Sequence, residues 1–135
     1  MRISETLELS IPDGMDLNKL ERYLAKEIQR FGKQVFGKVL QEMETEKLEE
    51  AKGKVGRREK VARYLFTRLG LIRFERHKVK YKETGKFGFL LDDVLGLRPY
   101  QAATRWVRQR ALELAVESIP SARQCLFSGT RLEMR

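Results

Sequence analysis

Cysteine is almost missing from this sequence: Cys125 is the single one in 135 residues, beside a single histidine, His77. One thiol excludes an internal disulfide framework and fits a reducing compartment, so a cytoplasmic location is expected. One histidine and one cysteine cannot build a zinc site of the usual four ligands. No apolar run approaches the roughly 20 residues that a membrane-spanning helix needs. The first residues, MRISETLELSIPDG, lack the apolar stretch and cleavage site of an export signal. GKVGRREK is glycine-containing and basic, but it lacks the spacing of a phosphate-cradling P-loop. No serine–histidine–acid arrangement stands out. Neither metal nor cofactor is expected, and no membrane partner. Asn18 is the sole asparagine, and charges of both signs make up 35% of the chain; that mix is compatible with a thermophilic source.

What the sequence has in quantity is positive charge, and it is concentrated. Residues 52–86 hold thirteen lysines and arginines against three glutamates, a net of +10. Residues 1–51 come to −3 and residues 87–135 to +2, within a whole-chain total of +9. A field focused in this way attracts polyanions through phosphate contacts and counterion release. The alternative is a solvated sheet face whose lysines block edge aggregation.

The hydrophobic pattern divides the chain at the same place. Residues 3–9 read as an extended lead-in, closed by the turn-forming Pro12-Asp13-Gly14. Asp16 is a suitable N-cap for a long helix. Leu17, Leu20, Leu24, Ile28, Phe31 and Val35 recur at spacings of three and four, and Val39, Leu40 and Met43 continue the stripe. Unbroken to Ala51, this helix would be about 50 Å long; it either docks along the core or pairs with a second copy as a homodimer. Residues 1–51 are therefore expected to form a helical arm. Residues 52–135 are expected to form a basic β-meander with C-terminal helices, the two making one compact unit.

Within the second part, Gly53–Lys60 reads as a flexible basic connector, and Val61–Thr67, Gly70–Tyr81 and FGFLL as three antiparallel strands. Ile72 and Phe74 share one face of the second strand with Arg76, Lys78 and Lys80. Val79 and Tyr81 lie on the other. Strict alternation would therefore switch the buried face midway, through a bulge or by extension beyond the core as a basic ribbon. Pro99 suits the first turn of a helix running to about Ser118. Its core stripe would be Ala103, Val107, Ala111, Leu114 and Ala115, with Trp106 at the edge. SARQCLF follows as a short helix after Pro120. The fold class is α+β: a long N-terminal helix, a small antiparallel basic meander and two C-terminal helices.

Two adjacent acids interrupt the apolar run FLLDDVLGL. Two-metal catalysis needs carboxylates converging on the ions, whereas adjacent acids diverge by about 100° on a helix and point to opposite faces of a strand. Asp92 and Asp93 are instead expected to start a helix, near whose N-terminus negative charge is favourable. The basic segment is the stronger constellation. On a strand, Arg76, Lys78 and Lys80 would project about 6.8 Å apart, preceded by Arg57, Arg58 and Lys60 and flanked by Tyr64 and Tyr81.

The ordered series REKVARYLFTRLGLIRFERHKVKY, FLLDDVLGL, ALELAVES and IPSARQCLFSGT resembles the N-terminal region of bacterial insertion-sequence transposases of the ISLre type. It also resembles the uncharacterised UPF-series proteins grouped with them. Tyr64, Thr67, Gly70, Ile72, Phe74 and Arg76 match a basic hairpin pattern, and Leu90, Leu91, Asp92, Leu95, Gly96 and Leu97 match the motif that follows. The resemblance implies a role in gripping transposon DNA, with a helix-turn-helix-like segment begun by SARQCLFSGT. It also implies a catalytic domain with an acidic triad farther on, which this sequence does not include. The cysteine pairs of related zinc ribbons have no counterpart here. The expectation is a truncated, DNA-binding fragment without enzymatic activity. Its contacts are Arg57, Arg58, Lys60, Arg73, Arg76, Lys78 and Lys80, with Arg105 and Arg108 secondary; the alternative is a dimerisation module built on the long helix.

Overall fold

The computed structural model describes residues 1–118. Helix α1 spans Leu17–Glu50, β1 Val55–Thr67, β2 Gly70–Tyr81, β3 Phe87–Phe89, α2 Leu90–Leu95 and α3 Arg105–Ser118. This is the expected α+β arrangement. The three strands form one antiparallel sheet in the order β1-β2-β3. The short SARQCLF helix and the helix-turn-helix-like segment lie outside the described residues, as does Cys125.

Helix α1 starts where its cap dictates: the Asp16 carboxylate accepts from the Lys19 amide at 2.8 Å. Its 34 residues outrun the sheet, and only Leu40, Glu44 and Leu48, spaced by four, are buried. Leu40 joins Leu65, Ile72, Phe74 and Leu91 in the core, with Phe36 and Met43 packed against it. Earlier members of the stripe are half-buried at best, and Leu17 and Ile28 are exposed. The lead-in runs alongside this half of the helix, where the Tyr23 hydroxyl donates to the Ser10 carbonyl and Lys38 pairs with Glu5.

Strand β1 begins at Val55, so residues 55–60 are strand and not connector. The β1–β2 ladder carries them with a bulge: Arg57 faces Val79 and Lys60 faces His77, leaving Arg58 and Glu59 opposite Lys78. At the same level the buried face of β2 changes. Ile72, Phe74 and Arg76 are buried on one side, and Val79 on the other. Helix α1 reaches β2 at this level. Strand β3 pairs only with residues 78–80, so the edge of β2 before that point lies open to α1. There the Glu44 carboxylate accepts from the His77 amide at 2.7 Å and sits 2.8 Å from its Nδ1. A helix side chain thus closes the ladder where the third strand stops.

Helix α3 starts at Arg105, later than proline placement suggested. Residues 102–104 pair with β1 instead: Phe66 N donates to Ala102 O at 2.8 Å and Thr104 N to Phe66 O at 2.9 Å. The expected core stripe of α3 is not covered by the described residues. Leu114 and the neighbouring Leu112 are exposed, and Val107 is only half-buried.

Candidate functional site

The Asp92–Asp93 pair occupies the first turn of α2, as its composition suggested, but its chemistry is different. Neither carboxylate caps the helix. Asp92 is buried between two arginines: Arg63 Nη1 lies 2.8 Å from Oδ2, and Arg76 reaches both oxygens at 3.3 Å through Nε and Nη2. Arg63 also donates to the Arg98 and Gln101 carbonyls at 2.6 and 2.7 Å. Arg76 donates to Val61 O and Ala62 O, and its guanidinium lies 3.9 Å from the centre of the Phe89 ring. Two buried cations thus share one carboxylate and four backbone carbonyls, and this cluster bolts α2 onto the sheet. Arg76, expected among the phosphate contacts, is inside the protein with its donors engaged. Arg63 and Arg76 lie on the same strand faces as Leu65 and Phe74. Lys78 and Lys80 share that alternation, so spacing alone does not single out the guanidinium that an anion must neutralise.

Asp93 points elsewhere, accepting from the Tyr81 hydroxyl at 2.6 Å. Partial burial, and then the neighbouring Asp93 carboxylate, push the Tyr81 phenol up to about 12. Among the described residues, no group of three or more histidine, cysteine and acidic side chains could hold a metal ion.

The remaining cations are divided between surfaces. Arg58, Lys78 and Lys80 converge from two strands on Phe87 of the third, at 5.7, 5.3 and 5.8 Å from the ring centre. The bulge makes this possible by turning Arg58 toward the face of Lys78 and Lys80. Phe87 is 54% exposed, and none of the three cations forms an ion pair within the described residues. Beside the ring opens a hollow of about 860 Å³ lined by three lysines, Lys54, Lys82 and Lys86, and by two acids, Glu83 and Asp93. The segment holding Lys78 and Lys80 is not a ribbon beyond the core, because Val79 between them is fully buried on the other face.

On the opposite face, Arg57 pairs across the ladder with Val79, and Lys60 and Arg73 line a cleft of about 490 Å³ between α1 and β2. Arg73 is engaged by Glu75 at 3.0 Å; that hydrogen bond, with Tyr64 adding, raises it above its ordinary value. Arg105 and Arg108 are exposed on α3, at the hairpin-turn end of the sheet, where Arg68 stacks on Trp106 at 4.6 Å. The Phe87 cluster lies at the other end. Arg58, Lys78 and Lys80 stand out in the sequence by charge, whereas nothing in the spacing of Phe87 marks it as the ring that gathers them.

No curated protein and no solved structure matches the chain. One family model does, over residues 10–128, a span that takes in α1, the whole sheet, α2 and α3. The chain therefore belongs to the uncharacterised protein family UPF0236.

Proposed function

We propose that the protein binds nucleic acid, and duplex DNA in particular, through phosphate contacts made by the cations around Phe87. The observation that carries this reading is the convergence of Arg58, Lys78 and Lys80 on one exposed ring, with no carboxylate pairing any of them among the described residues. Like charges held together repel one another, and a phosphate relieves that repulsion while releasing its own counterions. Lys54, Lys82 and Lys86 outnumber Glu83 and Asp93 in the adjoining hollow and extend the surface toward further phosphates. The preference for duplex DNA rests on the likeness to the DNA-gripping region of insertion-sequence transposases. In this reading the chain supplies the grip and no catalytic step, and Arg76 has a structural role. Fluorescence anisotropy with a labelled duplex tests it. Wild type binds at low salt and weakens steeply as salt rises, and Arg58→Ala/Lys78→Ala/Lys80→Ala loses most of that affinity. Unchanged binding by a folded triple variant overturns the proposal.

A second reading, a homodimer formed through α1, draws on the exposure of Leu17 and Ile28 along the helix stripe. Sedimentation at increasing concentration distinguishes it: a monomer into the high micromolar range removes its support.

A further inference from the structure

The other face of the hairpin carries a second arrangement that phosphate contacts near Phe87 do not use. Tyr64 and Phe66, two residues apart on β1, stand on the face away from the core and are 59% and 51% exposed. Their cross-strand partners are Arg73 and Leu71. Arg73 and Lys60, on this same face, reach the adjoining cleft beside α1. Two flat rings are thus set in a row with cations alongside them. The ladder between Phe66 and residues 102–104 stiffens this part of β1, so the rings rest on a rigid base.

We infer that this face binds unpaired nucleic acid, stacking successive bases on Tyr64 and Phe66 with the backbone neutralised by Arg73 and Lys60. This inference rests on the reading of the protein as a nucleic-acid binder and adds a class of ligand and a second surface to it. Ring spacing decides for a single strand over a duplex. Side chains at i and i+2 on a strand are about 6.8 Å apart, twice the roughly 3.4 Å rise per base in a duplex. The rings therefore fit bases drawn apart along an extended strand. In a duplex the π faces are already covered by neighbouring base pairs, and the rings would find only edges and phosphates. Aromatic stacking of this kind accepts any base, so little sequence preference is expected. Charge also favours a polyanion over an apolar partner, since the rings are flanked by cations in a chain of net charge +9. Of the two acids that line this cleft, Glu44 is engaged by His77, and the opposing feature on the sheet face is Glu75, which pairs with Arg73. Its removal should therefore strengthen binding.

The test compares a labelled oligo-dT strand with a mixed-sequence duplex of equal length, using wild type, Tyr64→Leu/Phe66→Leu and Glu75→Gln. Leucine keeps an apolar, strand-compatible side chain at exposed positions, so the core is untouched; thermal melting verifies this. The ring variant should lose about fivefold per ring, about 25-fold together, for oligo-dT, the lower end of stacking contributions. Its duplex binding should stay within about twofold, because phosphate contacts alone carry that. Glu75→Gln should bind oligo-dT more tightly than wild type. Absence of oligo-dT binding by wild type at low salt overturns the inference, as does full oligo-dT affinity in the ring variant. A ring variant that retains oligo-dT affinity but no longer self-associates in sedimentation would make this face an interface between copies, and also overturns it. If the Arg58/Lys78/Lys80 variant keeps full duplex affinity while the ring variant loses oligo-dT, the reading of the Phe87 cluster fails and this one stands.

Discussion

At the scale of single residues, Asp92 has the largest structural consequence. It is the only carboxylate bonded to Arg63 and Arg76 among the described residues, and all three side chains are buried. Removing one partner from a buried charge cluster leaves the others desolvated and uncompensated. Asp92→Asn keeps the shape and loses the charge, and should cost about 3–5 kcal/mol in urea unfolding. Tyr81 offers a prediction with a sign. Its folded pKa, about 12, lies above the ordinary 10.0 of a phenol, so between these values the folded state holds the proton more tightly than the unfolded chain. The associated stability is fully present below pH 10 and is lost as pH rises through about 12. In Tyr81→Phe the most alkaline step of the tyrosinate absorbance titration should disappear, and the stability loss in that window should shrink.

At the scale of elements, two glycines separate backbone demand from spare room. Gly70 opens β2 at φ +109°, where side chains are strained, and a Cβ there would stand 2.8 Å from Lys33 Cε and 3.1 Å from Gln29 Nε2. The same Gln29 nitrogen donates to Leu69 O at 2.9 Å, tying the hairpin turn to α1. Gly70→Ala should therefore destabilise by about 1–3 kcal/mol, with hydrogen exchange rising first at the turn. Gly37 lies inside α1 with nothing within 4 Å of a prospective Cβ. Gly37→Ala should stabilise by about 0.5–1 kcal/mol, because alanine loses less conformational freedom in a helix. Both are read from the same denaturant titration, and opposite signs are expected.

At the scale of the whole molecule, charge is sorted by the sheet into two faces with different surroundings, and salt dependence reports how much of it meets phosphate. Each phosphate contact contributes a slope of about −0.9 in the logarithm of duplex affinity against the logarithm of salt. Removing Arg58, Lys78 and Lys80 together should flatten that slope by about 2–3, measured by anisotropy over a salt series. Residue order alone determined the α+β class, the Asp16 cap, the extent of α1 and β2, and the concentration of positive charge in one segment. Each follows from local periodicity or from counting, which need no partner elsewhere in the chain. Residues 55–60 look like a connector in sequence, because glycine and charge resemble a loop until the ladder with β2 supplies a partner. Only the tertiary structure decided that Arg76 would turn inward to Asp92 while Lys78 and Lys80, of the same alternating set, stayed outside. The cause is the placement of α2, whose Asp92 lies against Arg63 and Arg76, while β3 pairs alongside residues 78–80 and brings Phe87 to the two lysines. Phe87 becomes a gathering point because three strands align it with Arg58, Lys78 and Lys80, a juxtaposition that no spacing along the chain encodes.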